Sequence, residues 1–132
     1  PQTVTIVVAG LVNPRNVLVN HYVRQIQSVG IPIIWLGMGS HLDDHLWLAE
    51  AERRFPNSQI IADPGPKKAF SCIGHSRFVI TGRYHGLVFA RVNQVPFITP
   101  MDAPYKIRKE DLSHEICAAA GHIHVLRRFI GN

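Results

Sequence analysis

The chain has 132 residues, 46% of them hydrophobic and 17% charged. Those proportions suit one compact domain with its own core and exclude collagenous, low-complexity and disordered classes. A formal charge of +5 fits either a solvated surface or an anionic ligand. No Lys/Arg block interleaves with aromatics, so nucleic acid is not expected as a partner.

Thr3–Ala9 is a β-rich run with apolar residues on both faces, the signature of a strand covered on both sides in a parallel sheet. Gly10–Arg15 is a loop, and residues 16–28 place Val17, Val19, Tyr22, Val23 and Ile26 at helical spacing before Gly30. Ile31–Leu36 reads as a second strand, with Pro32 near its start. After the loop Gly37–Ser40, Asp43–Phe55 reads as a helix with acids near its start. Gln59–Ala62 is a third strand, Asp63–Pro66 a turn, and Lys67–Ile73 a short helix ended by Gly74. Phe78–Thr81, His85–Asn93 and Pro96–Thr99 follow as strand, helix and strand. Residues 106–120 pass from loop to helix, stopped by Gly121, and the tail 122–130 reads equally well as strand or helix.

The regular alternation predicts right-handed βαβ crossovers and a three-layer, Rossmann-like α/β domain over residues 1–132, with a mainly parallel sheet of five or six strands. Ligands of such sheets sit outside the carboxyl ends of the strands. The loops at 37–40, 82–84 and 99–105 all leave strands on that edge. Apolar runs such as Val4–Val8 are far too short to span a bilayer, and Pro1–Thr3 opens without a basic leader. A cytoplasmic protein without a membrane span is therefore expected. Cys72 and Cys117 fall in amphipathic helical patterns without metal-ligand spacing, so both read as free thiols in a reducing compartment.

The turn Gly82-Arg83-Tyr84-His85-Gly86 carries the most chemistry. A strand leads into it and a helix leaves it, so free backbone N–H groups and the positive end of the helix dipole coincide with a cation and an imidazole. Arg83 offers a planar fork to phosphate or carboxylate, and His85 could donate to an anion or transfer a proton. The plainer alternative is a surface arginine and a helix-capping histidine. His41 and His45 flank Asp43 and Asp44, a pattern open to metal binding, to ordinary helix-start charges or to a ligand-loop role. Lys67 and Lys68 open a helix and read as solvated lysines, with an anion partner as the alternative; Lys106, Arg108 and Lys109 occupy a polar loop that fits solvation or reach over the ligand edge; His122 and His124 alternate and read as ordinary edge residues, with a metal pair as the alternative. No Gly-x-Gly-x-x-Gly, Walker-type or Gly-x-Ser-x-Gly element occurs.

From Gly82 to Ile98 the chain resembles the polysaccharide pyruvyltransferase family, in which a strand, an Arg-Leu-His-like turn, a helix of small and apolar residues and a Val-Pro-led strand follow one another. Tyr84 stands where that pattern has Leu, and Pro100–Lys106 is a rearranged, slightly longer version of the following Tyr-Asp-x-Lys-like loop. The strand–helix start, Ile33–Met38 and Asp44 at a helix opening fit more loosely. The resemblance implies a GT-B-like enzyme of two Rossmann-like halves, of which this chain matches the C-terminal, donor-binding one. It implies phosphoenolpyruvate as donor and a sugar of a cell-surface polysaccharide as acceptor, with no cofactor and no metal. It assigns His85 to catalysis and Gly82, Arg83, Tyr84, Gly86 and Lys106 to substrate binding. It also implies a partner for the open cleft, either a second Rossmann-like domain or a second copy. Two other functions remain open: a nucleotide-sugar glycosyltransferase using the same turn, or a binding and assembly module that keeps the fold.

Overall fold

A computed structural model describes residues 3–10, 12–38 and 42–99, apart from the side chains of Leu42 and Asp43. The strands are β1 (Thr3–Val7), β2 (Ile33–Leu36), β3 (Gln59–Ile61), β4 (Ser76–Thr81) and β5 (Phe97–Ile98), and the helices are α1 (Val17–Ser28), α2 (Leu42–Arg54), α3 (Gly65–Gly74) and α4 (Tyr84–Val92). All neighbouring strands pair in parallel, in the order β3-β2-β1-β4-β5. The expected layers follow, with five strands among the described residues. Everything expected beyond Thr99, including Lys106, Cys117, His122 and His124, lies outside the described residues.

Side-chain alternation along β1 divides the core in two. Val4, Ile6 and Val8 pack with Val19, Tyr22, Val23 and Ile26 of α1 and Leu48 and Ala51 of α2. Val7, on the opposite face, packs with Ala69 and Ile73 of α3 and Leu87 and Ala90 of α4. A two-faced apolar strand is what a doubly covered parallel sheet requires. The polar exception is Thr5, fully buried, whose Oγ1 lies 2.6 Å from Ser76 Oγ and 3.8 Å from Cys72 Sγ. Ser76 donates in turn to the Cys72 carbonyl at 2.9 Å, so these hydroxyls have partners where burial would otherwise penalise them. Cys72 is a half-buried free thiol, and burial raises its pKa against the opposing pull of Thr5 and Lys68.

Helix boundaries follow local chemistry. Asn16 Oδ1 accepts from the Leu18 and Val19 N–H groups and caps α1. At its other end Gly30 takes φ +77°, with Ile31 N–H bonded to Ile26 O and Gly30 N–H to Gln27 O, a Schellman closure. Gly74 is different from its expected role. It is the last residue of α3 and does not adopt positive φ; its missing side chain makes room for Asn93, whose Oδ1 would sit 2.7 Å from an added Cβ. α3 starts at Gly65 rather than Lys67 because Pro66 fits the first helical positions. β4 starts at Ser76 rather than Phe78, since Thr3 pairs with Ser76.

Candidate functional site

The strand order reverses between β1 and β4, because successive connections run outward from β1 in opposite directions. At such a switch point the loops leaving the two strands diverge and open a crevice at the carboxyl edge. β1 supplies Val8, Ala9 and the turn closed by Ala9 N–H to Val12 O at 2.9 Å. β4 supplies Thr81, Gly82 and Arg83. These two exits touch: a Cβ on Gly82 would lie 2.6 Å from Val12 Cγ2 and 3.0 Å from Ala9 Cβ. Gly86 has the same function one turn later, where a Cβ would collide with Thr81 Oγ1 and meet Val7 Cγ2 at 3.3 Å. Glycine at both positions lets the turn and the first turn of α4 lie directly on the sheet edge.

Thr81 Oγ1 accepts from the Arg83 N–H at 3.0 Å and donates to the Arg83 carbonyl at 3.1 Å, fixing the turn. Arg83 is the N-cap of α4 in extended conformation, no side chain caps the helix, and its first turn carries no acid. The positive end of the α4 dipole is thus not balanced by an acid of the helix's own first turn.

The Arg83 side chain is not the free fork expected of it. Its Nη2 donates to Asp44 Oδ1 at 2.6 Å and its Nε to the Val8 carbonyl at 3.3 Å. Asp44 is 1% exposed, and its Oδ2 has no hydrogen-bond partner among the described residues. Of the roles open to Asp44, that of a plain helix-start charge does not hold: it is a buried acid that locks the guanidinium at the β1–β4 switch point. The only sequence signal for it was an Asp at the start of the helix after β2, and its burial depends on a contact with a residue 39 positions later.

His85 faces elsewhere. With Met38, Asp63, Pro64, Gly65, Pro66, Ala69 and Phe89 it lines a cleft of about 630 Å³ on the α3/α4 side of the sheet edge. Its ring packs edge-on against Tyr84 and Phe89, at 5.8 and 6.3 Å between centroids. Arg83, by contrast, is drawn toward α2 and the end of β1. The two residues share one turn but serve opposite sides of it. Tyr84 is partly exposed at 37%. His45, which invited a metal reading, has Nε2 3.8 Å from Asp63 Oδ1, and among the described residues no cluster of three or more His, Cys, Asp or Glu could hold a metal ion. Lys67 and Lys68 are exposed on the first turn of α3.

A five-stranded, all-parallel sheet covered on both faces, with a polar turn at its switch point, defines a Rossmann-like α/β domain of the type used in GT-B proteins. Within that class the family can be stated. A family model described as polysaccharide pyruvyl transferase matches residues 8–100, and the chain belongs to that family. Among solved structures, the chain is similar to the UDP-GlcNAc 2-epimerase of Methanocaldococcus jannaschii, in complex with UDP-GlcNAc and UDP, at a TM-score of 0.64 and 14% identity over 98% of this chain. The chain covers 39% of the length of that protein, and the likeness concerns the fold. No curated protein sequence matches the chain. No described helix is long and apolar enough to cross a membrane.

Proposed function

We propose that the chain is the donor-binding, C-terminal-type half of a polysaccharide pyruvyltransferase, taking phosphoenolpyruvate at the turn 82–86. The observation that carries this reading is the locked Arg83. Its guanidinium is held by Asp44 and the Val8 carbonyl, at the switch point of the sheet and beside the open positive end of α4. A cation fixed in place next to backbone donors suits a small anion that carries phosphate and carboxylate together. Family membership supplies the acceptor class, a sugar of a polysaccharide. Lys106 is assigned to the donor by the resemblance of its loop, and the complementary half of the cleft to a second Rossmann-like domain or a second copy.

The chemistry is ketal formation. The methylene carbon of phosphoenolpyruvate gains a proton and becomes the methyl group. Its neighbouring carbon takes two sugar oxygens in turn, while the bond to the phosphate oxygen breaks. Of the two protons released by the hydroxyls, one replaces that delivered to the methylene carbon and the other leaves with inorganic phosphate. His85 is the group in reach of such a transfer from the turn, acting as acid or base at one of these steps.

The test is ligand-induced stabilisation. A ligand bound only by the folded state at a hundred times its Kd adds about 2.7 kcal/mol. Phosphoenolpyruvate should raise the melting temperature of the wild-type chain. The variant must remove Arg83 without leaving Asp44 as an unpaired buried charge, so Arg83→Ala is combined with Asp44→Asn; this pair should fold and show no shift. A flat wild-type response sinks the proposal. A nucleotide-sugar function is the second reading, favoured by the UDP-bound relative in fold. A shift with UDP but none with phosphoenolpyruvate would select it.

A further inference from the structure

We infer that the arginines gathered on Glu50, on the α1/α2 face of the sheet, form a binding site for a phosphate group. The site is separate from the turn 82–86 and does not depend on how that turn is read. Three observations carry it.

The first is charge. Both oxygens of the buried Glu50 are taken: Oε1 accepts from Arg15 Nη2 at 3.2 Å, and Oε2 from Arg53 Nη2 at 2.5 Å and Arg54 Nε at 2.8 Å. Three cations meet at one acid, so the cluster holds two positive charges in excess. Glu50 itself registers that field: its carboxyl is held well below the usual range, first by the hydrogen bond from Arg53. The second is fixity. A free surface arginine loses side-chain entropy when it grips an anion. Here most of that loss has occurred on folding, because Glu50 holds all three groups. Arg54 Nη1 also donates to the Pro14 carbonyl at 3.2 Å, and Arg15 lies over the Trp47 ring at 5.8 Å. The third is access. The side chains of Arg15 and Arg53 are 62% and 71% exposed. A guanidinium carries five N–H donors, and each of these two gives one to Glu50. Sharing one carboxylate keeps them within a few ångströms of each other, with donors left for a group from solvent. A phosphate monoester has three acceptor oxygens and close to two negative charges at pH 7, so it can take a planar fork from each arginine and balance the excess. Val17, two residues after Arg15, and Leu46, one turn before Glu50, are exposed. A lipid headgroup would use these apolar side chains and a soluble phosphate ester would not, which separates the two sources of the same chemistry.

The test uses the full chain with nitrogen-15 arginine, titrated with inorganic phosphate at pH 7 up to about 50 mM, against sodium chloride of matched ionic strength. The Nε–H signals of Arg15, Arg53 and Arg54 should shift and saturate, while that of Arg24, exposed on α1, should follow the chloride control. Arg83 gives a signal of its own, so phosphate at the turn is read apart from phosphate here. Arg15→Gln combined with Arg53→Gln changes two exposed positions and leaves Arg54 on Glu50; this chain should fold, and binding followed at Arg54 should weaken about tenfold or more. Co-sedimentation with vesicles of phosphatidylcholine, alone or with about 30% phosphatidylglycerol, assigns the source. Binding to the anionic vesicles that Val17→Ser with Leu46→Ser abolishes selects a lipid headgroup, and a phosphate response without vesicle binding selects a soluble ester. The inference is overturned if phosphate moves the three signals no more than chloride does, if Arg24 shifts equally, or if the double glutamine variant keeps full affinity.

Discussion

Arg83 and Asp44 show how one contact changes the meaning of a residue. Read in sequence, Arg83 is an open cation and Asp44 a helix-start acid. Joined at 2.6 Å with Asp44 almost wholly buried, they become a unit whose members cannot be judged separately. Removing one partner of a buried pair leaves the other charge without compensation and costs about 3 kcal/mol or more. Arg83→Ala should therefore destabilise the chain by about that amount in denaturant unfolding, since Asp44 cannot reach water. Asp44→Asn combined with Arg83→Ala should recover much of the loss. Equal midpoints for the single and double variants would show that the pair is not coupled. The same contact leaves Nη1 as the guanidinium edge without a hydrogen bond among those described, so Arg83 can present a single edge to an anion rather than the full fork expected of it. No reading of the sequence could supply this, because the partners are brought together only by the crossover from β3 through α3 to β4, on the far side of β1 from β2.

At the scale of elements, much of the fold was legible and the boundaries less so. Strands and helices alternate visibly because strands covered on both faces are continuously apolar, while helices carry a periodic stripe. Gly30 was readable as a helix stop, and the structure gives it positive φ. The equivalent stop after α4 was not readable, because it is made by Gln94. Val95 N–H bonds to Ala90 O at 2.8 Å and Gln94 N–H to Arg91 O at 3.0 Å, the same closure as at α1 but with a side chain at φ 58°. A non-glycine residue held in this region carries roughly 1 kcal/mol of strain, so Gln94→Gly should raise stability by up to about 1 kcal/mol, offset in part by the greater freedom of the unfolded chain. Gly86 runs the other way. A Cβ there strikes Thr81 Oγ1 and crowds Val7, so Gly86→Ala should cost about 2 kcal/mol by overpacking. It should also disturb the turn that Thr81 holds, which would appear as a weaker response to phosphoenolpyruvate. A fully retained response in a folded Gly86→Ala chain would show that the turn tolerates displacement.

For the molecule as a whole, the same topology that opens the ligand edge also sets where its charge is stored. On the α1/α2 face, Glu50 is 7% exposed and takes Arg53 at 2.5 Å, Arg54 at 2.8 Å and Arg15 at 3.2 Å. Arg54 also donates to the Pro14 carbonyl at 3.2 Å, and Arg15 lies over the Trp47 ring at 5.8 Å. One acid thus ties the loop before α1 to the middle and end of α2. The hydrogen bond from Arg53, with Arg54 and Arg15 behind it and burial opposing them, lowers the Glu50 pKa from 4.5 to about 2. The sign of the consequence follows directly. A carboxyl with a depressed pKa in the folded state adds stability that is complete above its unfolded value and is lost as pH falls toward the folded one. The chain should therefore keep this contribution above pH 4.5 and lose it progressively down to about 2. Protonation of Glu50 would at that point leave three guanidinium groups facing one another on a chain whose formal charge, +5 at pH 7, has risen further as its histidines and other carboxyls protonate. Melting temperature followed from pH 6 to 2, against Glu50→Gln as reference, checks this. The wild-type curve should fall toward that of the variant through this window. Parallel curves would place the acid sensitivity of the fold elsewhere.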